Sequence, residues 1–281
     1  MNLIPDKAFE KAVEKIGEMT KEPVGNLLNP PTKVIGESLA GILKMTFLPF
    51  SLAGITAEHL LKRAEYFYSR IEANLEIIPE EKRCEPPLNV VGPALEAAKY
   101  HIEDDTLCEM FATLVASAMN TDTRDATHPS FVEIIKQLSP VDAKILYNFL
   151  NEDMCDDFRN HTIFTYSVNF RDGGDMYSIE NVSNRLCPDA SMTESSSSIT
   201  NLIRLAILKA KPIDQKIPTY PNFINEISDL EIKNLFYSWL KLEIQEDADN
   251  EIKKAIVKKP YWLSLTSFGA EFCDVCIRNH N

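Results

Sequence analysis

Apolar residues at helical spacing organise the first half of the chain. Two stretches place an apolar side chain at every third or fourth position, with polar or small residues between, which is typical of an amphipathic helix. The apolar positions are Leu60, Ala64, Phe67, Ile71 and Leu75 in one stretch, and Leu107, Met110, Phe111, Leu114, Val115 and Ala118 in the other. We therefore expect a helical domain over residues 58–138, with a charged, proline-rich linker at 80–93.

The segment from His128 onward begins with one helix start. Pro129 or Ser130 opens this helix, and Ser130 and Glu133 have the spacing of a capping box. Its apolar stripe is Phe131, Ile134, Ile135 and Leu138. A histidine beside Pro-Ser can cap, titrate or bind, but a lone histidine more often caps or packs. We therefore expect His128 to cap the helix or to pack against it.

A second helix start follows within a few residues. Ser139 is placed to cap it, Pro140 occupies the first helical position, and Asp142 suits the positive end of the helix dipole. The buried side would be Ala143, Ile145, Leu146, Phe149 and Leu150. Two helices therefore meet at a sharp corner, and the simplest interpretation of that corner is a structural junction without a ligand.

This corner also carries a resemblance to a known family. The string HPSFVEIIKQLSPVDAKIL at 128–146, with CEMFATLVASAMN at 108–120 before it, closely resembles the abortive infection alpha family of bacterial phage-resistance proteins. The resemblance extends over roughly residues 30–280. It implies a role in defence against phage, and the family has no established chemistry to transfer. The motif residues are His128, Pro129, Ser130, Phe131, Ser139, Pro140 and Asp142.

The pattern changes after the corner to a mixture of strands and helices. Phe164, Tyr166, Val168 and Phe170 alternate with polar residues, which predicts a half-buried strand. A short helix capped by Ser178 is then predicted from Ile179, Val182 and Leu186. A further helix follows at 195–206 and a strand begins at 207–211. The last strand contains Trp262, Leu263 and Leu265, and Thr266 is placed to cap a final helix.

This order of elements is similar to a winged helix. The fold class is therefore mainly α: an N-terminal helical and apolar segment at 1–57, the helical domain at 58–138, and a winged-helix-like α+β domain at 139–281. A mostly helical insertion is expected at about 213–258, where Leu235, Phe236, Trp239 and Leu240 have helical spacing.

The helix at 195–206 occupies the recognition position of a winged helix, but its composition does not suit DNA. Its expected exposed face presents five uncharged residues, Ser195, Ser196, Ser198, Thr200 and Asn201, and Arg204 is the only basic residue before Lys209. Major-groove readers usually bring several Arg, Asn or Gln side chains with basic flanks. We take Ser196, Thr200, Asn201 and Arg204 as candidates for contact with a partner or nucleic acid. Ala206 stands where the resembling family has glycine, so this helix is expected to run on by a turn.

Composition and charge argue against several classes of function. The net charge of −13 is divided almost equally between the two halves of the chain, which argues against tight binding of nucleic acid. Six scattered cysteines fit a reducing cytosol. Cys273 and Cys276 with His280 would supply three metal ligands, but a fourth is missing, so we expect no metal and no cofactor. No catalytic motif is present, and we expect no enzyme.

The segment 38–57 raises the question of a membrane. Its length approaches that of a bilayer span, but Lys44 and Pro49 lie near its middle, and each is costly in hydrocarbon. We expect a buried or interfacial hairpin in a cytoplasmic protein, with peripheral membrane association through 38–57 left open.

These observations favour a phage-defence protein that acts through protein partners without catalysis. The alternatives are a winged-helix regulator that binds DNA and a membrane-perturbing effector. A homo-oligomer stays open, and the sequence does not identify the phage trigger or the cellular target.

Overall fold

The computed structural model describes residues 57–150, 161–169, 175–183, 185–213 and 256–277. The segment expected at 1–57, apart from Ala57, and the interior of the insertion expected at 213–258 lie outside these residues. In the described part of the chain, no helix is long and apolar enough to cross a membrane. Seven helices and four strands are present there, and they divide into two compact units.

The first unit is helical and reaches to Leu138, with the end of the last helix added from Glu271. Its helices are α1 (Ala57–Ile77), α2 (Leu88–His101), α3 (Asp105–Ala118) and α4 (Ser130–Ile135), with single 3-10 turns at Glu80–Lys82 and Arg124–Ala126. Both α1 and α2 pack against α3, which is almost completely buried. The two predicted amphipathic helices are confirmed.

The helix α2 begins earlier than the sequence suggests. The proline-rich linker was expected to continue to Pro93, but α2 already starts at Leu88 and contains Pro93. Its buried side includes Val90, Val91, Ala94 and Leu95. Burial of this apolar face outweighs the hydrogen bond that a proline removes from a helix.

Polar contacts also join α1 to α3. Arg63 donates hydrogen bonds to the carbonyl of Ile102 and to Asp105, the latter at 2.7 Å. Further along, Arg70 pairs with Glu109 at 2.5 Å, and Asn74 donates to Glu109 at 3.1 Å. The paired carboxylate raises the pKa of Arg70. This seam fixes the alignment of the two helices.

The second unit runs from Ser139 to Ala270 and contains an antiparallel sheet. Its elements are α5 (Pro140–Leu150), β1 (Thr162–Asn169), β2 (Asp175–Val182), α6 (Met192–Arg204), β3 (Leu208–Pro212), β4 (Ile256–Leu265) and the start of α7 (Ser267–Cys276). The strand order is β2-β1-β4-β3, so β2 and β3 are the edges of this sheet. The protein is therefore mainly helical with a small sheet, as expected.

Strand β1 is buried more completely than a half-buried strand. Phe164 and Tyr166 on one face are buried, but Ile163 and Ser167 on the other face are buried as well. The alternation of apolar and polar residues therefore predicted the strand correctly and its exposure wrongly, because Ile163 and Ser167 are buried on the face that was expected to be exposed.

The short helix predicted from Ser178 is wrong: this segment is strand β2. Val182 pairs with Phe164 and Ile179 pairs with Tyr166, so two residues of β2, Glu180 and Asn181, lie opposite one residue of β1. This is a β-bulge, and Asn181 adopts a left-handed φ of 55°. The extra residue places the apolar side chains three apart, which imitates helical spacing.

The prediction that α6 runs past Ala206 is also wrong. Ala206 has a φ of 58°, and the backbone N–H groups of Ala206 and Ile207 donate to the carbonyls of Ile203 and Leu202, each at 3.0 Å. This pair of bonds is a Schellman motif, which ends a helix through a left-handed residue. Alanine adopts here the conformation that glycine adopts without strain.

Replacement of Ala206 with glycine is therefore expected to stabilise the protein. A left-handed alanine costs about 1–2 kcal/mol, part of which is offset by the greater freedom of glycine in the unfolded chain. The net gain of roughly 1 kcal/mol should raise Tm by about 2–4 °C. Thermal unfolding followed by circular dichroism measures this, with Ala210→Gly in β3 as a control that should lower Tm. A lower Tm for Ala206→Gly would contradict the argument.

The final helix begins as predicted. Thr266 Oγ1 accepts the backbone N–H of Gly269 at 2.8 Å and donates to the carbonyl of Ala206. The backbone N–H of Thr266 donates to the carbonyl of Ile207 at 3.0 Å. The cap of α7 is therefore joined to the turn between α6 and β3, and the role of Thr266 as a cap is confirmed.

Candidate functional site

The helix that was predicted to start at Pro129 or Ser130 is present, but His128 caps it in place of the capping box predicted for Ser130 and Glu133. Nδ1 of His128 accepts the backbone N–H of Ser130 at 3.1 Å and lies 2.6 Å from Ser130 Oγ. The carboxylate of Glu133 is instead paired with Lys136, so the capping box predicted between Ser130 and Glu133 is not formed. In a capping box, the Glu133 carboxylate would accept the backbone N–H of Ser130. Because it does not, the His128 ring nitrogen accepts that N–H and acts as the cap.

Phe131 follows directly and is a core residue. Its side chain is fully buried, and its ring meets that of Phe272 edge-on, with centroids 5.4 Å apart. Both residues belong to the first unit. Aromatic pairs in this arrangement add to the energy of burial, so this motif position contributes to stability. Pro129 lies between the cap and the helix and ends the preceding loop.

The second helix start forms a reciprocal cap in the second unit. Ser139 Oγ accepts the backbone N–H of Asp142 at 3.1 Å, and Asp142 Oδ2 accepts the backbone N–H of Ser139 at 2.7 Å. Pro140 is the first residue of α5, where no backbone donor is needed. Ser139 caps the helix and Pro140 opens it, as predicted, whereas Asp142 was expected only to suit the positive end of the helix dipole and not to accept the N–H of Ser139.

Asp142 has a further partner that the sequence does not reveal. The carboxylate is only 2% exposed, and its Oδ2 also accepts a hydrogen bond from Asn201 Nδ2 at 2.8 Å. Asn201 Oδ1 in turn accepts from Arg204, from Nε at 3.1 Å and from Nη2 at 2.7 Å. We call Ser139, Asp142, Asn201 and Arg204 the Asp142 network. It joins the start of α5 to the end of α6.

Ser196 and Thr200 are engaged within the second unit. Ser196 Oγ donates to the carbonyl of Glu180 at 2.6 Å, and Thr200 Oγ1 accepts from Asn181 Nδ2 at 3.0 Å. These two partners are the bulge residues of β2. The polar side of α6 therefore packs on an irregular strand, where one hydroxyl bonds a backbone carbonyl and the other bonds a side-chain amide.

Two serines at the start of α6, Ser195 and Ser198, are buried and do not form the expected exposed face. Ser195 is 2% exposed and donates to the carbonyl of Ser183 at 2.6 Å, and Ser198 is 6% exposed. Ser191 caps the helix through a capping box with Glu194, and these hydrogen bonds lower the pKa of Glu194. The prediction that Ser195 and Ser198 face solvent is wrong.

The structure thus brings part of the predicted set together. Ser139, Asp142, Asn201 and Arg204 form one network, although two of them were singled out as motif residues and two as contact candidates. Sequence reasoning missed Asn181, which orients Thr200. Its identity as asparagine was a signal, because asparagine tolerates the left-handed conformation better than most residues.

The buried cysteines of the described part of the chain include Cys108, Cys273 and Cys276. Cys273 and Cys276 are buried on α7, and burial raises the pKa of the Cys276 thiol. Burial likewise raises the pKa of Cys108 to about 12. Thiols protonated at neutral pH are poor nucleophiles and metal ligands. His280 lies outside the described residues, and among those described no group of three or more His, Cys, Asp or Glu side chains is placed to hold a metal.

Comparison with known proteins gives one family. No curated protein and no solved structure matches the chain. The sequence model of the abortive infection alpha family matches residues 59–276, which is more than half of the chain and contains the Asp142 network and the His128 cap. The chain therefore belongs to the abortive infection alpha family.

Proposed function

We propose that this protein defends bacteria against phage by abortive infection, in which an infected cell stops growing or dies before phage are released, and that it acts by binding a protein partner. Membership of the abortive infection alpha family over residues 59–276 is the observation that carries the defence role. The partner, the cytoplasmic location and the absence of catalysis are parts of this proposal.

The side chains at the motif support action without catalysis. His128 caps a helix, Phe131 fills the core, and Ser139 and Asp142 cap each other. A catalytic acid or base would need to lie within hydrogen-bonding reach of a reacting group. Polar groups that are engaged in caps are better suited to fixing a surface for recognition.

The winged-helix interpretation of residues 139–281 is part of the proposal. The succession of α6, β3 and β4 supports it, whereas strand β2 takes the place of a predicted helix. The DNA-binding alternative is weakened because Ser196 and Thr200 contact β2. The membrane alternative rests on residues 38–57, which lie outside the described part of the chain.

Expression in a susceptible bacterium tests the defence role. Cells that carry the protein should plate at least one phage of a diverse panel with an efficiency reduced by an order of magnitude or more, or should stop growing after infection. Cells with an empty vector serve as the control. Normal plating of every phage by cells that contain the folded protein would count against the proposal.

Cell fractionation separates the partner-binding proposal from the membrane alternative. Most of the protein should be in the soluble fraction of uninfected cells, because Lys44 and Pro49 make an isolated span marginal. Carbonate-resistant membrane association that is lost on deletion of 38–57 would instead favour membrane damage.

A further inference from the structure

Three basic side chains lie around the turn between α6 and β3. Arg204 is the last residue of α6, and the turn through Ala206 is all that separates it from β3, which contains Lys209 and Lys211. All three are exposed. Lys209 and Lys211 are alternate residues of the strand and therefore project to the same face of the sheet. We call Arg204, Lys209 and Lys211 the basic turn.

Arg204 is held in place before any partner arrives. Two of its nitrogens donate to Asn201 Oδ1, and the Asn201 amide is fixed by the buried carboxylate of Asp142. An arginine loses side-chain entropy when it binds, and prior orientation reduces that cost. The Asp142 network therefore holds an exposed guanidinium in one direction at the surface of the second unit.

No acidic residue lies within the stretch of sequence that forms the basic turn. The protein has a net charge of −13, yet residues 195 to 213 contain Arg204, Lys209 and Lys211 and no acidic residue. Within the described part of the chain, neither Lys209 nor Lys211 forms an ion pair. Carboxylates on another protein would complement this surface, and such complementarity favours specific association.

We propose that the basic turn is the surface through which this protein binds its partner, and that the partner presents an acidic protein segment there. This inference rests on the proposed function and specifies the chemistry of the partner. Arg204 would pair with a carboxylate through its planar guanidinium, while Lys209 and Lys211 would contact neighbouring carboxylates of the same segment.

Nucleic acid is the less suitable ligand for this surface. Tight binding to a phosphate backbone requires many cations, and the basic turn supplies three. The polar side of α6 that would enter a groove is bonded to the β2 bulge through Ser196 and Thr200. An acidic peptide needs only the few charges that the basic turn supplies.

A second role for the lysines has to be separated from binding. β3 is an edge strand of the described sheet, and charged side chains on an edge prevent unwanted pairing with other strands. Glutamate serves that purpose as well as lysine does. Charge reversal therefore preserves edge protection and removes the proposed binding surface, so the two roles predict opposite results.

The test uses the full chain with Lys209→Glu/Lys211→Glu, and Arg204→Gln as a second variant. The matched control is Arg124→Glu/Lys144→Glu, which makes the same charge change at two exposed residues outside the basic turn that form no ion pair within the described part of the chain. Three readouts are compared: Tm, phage plating, and binding of a fluorescent oligoglutamate peptide and a fluorescent DNA duplex at physiological ionic strength.

We expect Lys209→Glu/Lys211→Glu to keep the wild-type Tm, and both basic-turn variants to lose phage protection and to bind the oligoglutamate peptide at least several-fold more weakly, while the control behaves as wild type. Full protection by Lys209→Glu/Lys211→Glu would overturn the inference and leave the proposed function intact. Binding of DNA but not of peptide would overturn it in favour of nucleic acid. If the wild type gives no phage protection, the proposed function fails. The inference is then decided by oligoglutamate binding alone, which the basic-turn variants should weaken.

Discussion

Replacement of Gly269 with alanine is expected to lower the free energy of unfolding more than any other substitution proposed here. A Cβ at this position would lie 2.0 Å from the carbonyl oxygen of Ile207, 2.7 Å from its carbonyl carbon and 2.9 Å from its Cα. All three atoms are backbone, so no side chain can rotate away. The carbonyl of Ile207 also accepts the N–H of Thr266, and movement of either segment breaks that bond.

The expected loss in the free energy of unfolding is about 3 kcal/mol or more, at the upper end of the costs of overpacking. Equilibrium unfolding in urea measures it. Ser267→Ala is the matched control, because Ser267 is exposed in the same helical turn and its replacement should change stability by less than about 0.5 kcal/mol. A loss of only about 1 kcal/mol for Gly269→Ala would contradict this expectation, because it would show that α7 can move away from Ile207 at little cost.

Replacement of Asp142 with alanine is the second large expected effect. The substitution removes the acceptor for the Ser139 N–H and for the Asn201 amide in a site that is 2% exposed. Hydrogen bonds to a charged group contribute about 1.5–3 kcal/mol, and loss of a helix cap costs about 1 kcal/mol. We therefore expect Asp142→Ala to lower the free energy of unfolding by about 3 kcal/mol.

Asp142→Asn is the informative partner of that variant. Both hydrogen bonds end on one oxygen, Oδ2, so an amide oxygen in the same place can accept them without the charge. Its cost should be about 1 kcal/mol. A double-mutant cycle of Asp142→Ala with Asn201→Ala should show strong coupling, because the two substitutions remove the same bond. Additive effects in urea unfolding would mean that the Asp142 network contributes little to stability.

Elements that depend on local sequence were predicted well. The helices α1, α3 and α6 follow from apolar spacing, because one face of each is buried and 3.6-residue periodicity is a property of the helix itself. The cap by Ser139 and the cap by Thr266 were predicted because capping joins residues only three positions apart, whereas the return bond from the Ser139 N–H to Asp142 was not predicted. Membership of the family was likewise predicted from one short segment.

The wrong predictions concern positions where contacts with a neighbouring element outweigh the local sequence preference. The bulge at Glu180 and Asn181 gave β2 a helix-like spacing, and the strand formed because β1 supplied a partner for its backbone. Ala206 ends α6 although glycine is absent, because the carbonyls of Ala206 and Ile207 are held by Thr266 from the start of α7. Tertiary contacts outweigh about 1–2 kcal/mol of local preference at such positions.

The sequence by itself determined the helical periodicity, the local caps and the motif residues of this protein. The tertiary structure alone decided that Asp142 and Asn201 meet and that Arg204 is oriented through them, since these residues come from two helices separated by a β-hairpin. It also decided that Ser196 bonds to β2 and that Ser195 bonds to the carbonyl of Ser183, directly after β2. The physical reason is range: periodicity and capping act over a few residues, whereas a buried polar group takes whichever partner the packed chain brings within hydrogen-bonding distance.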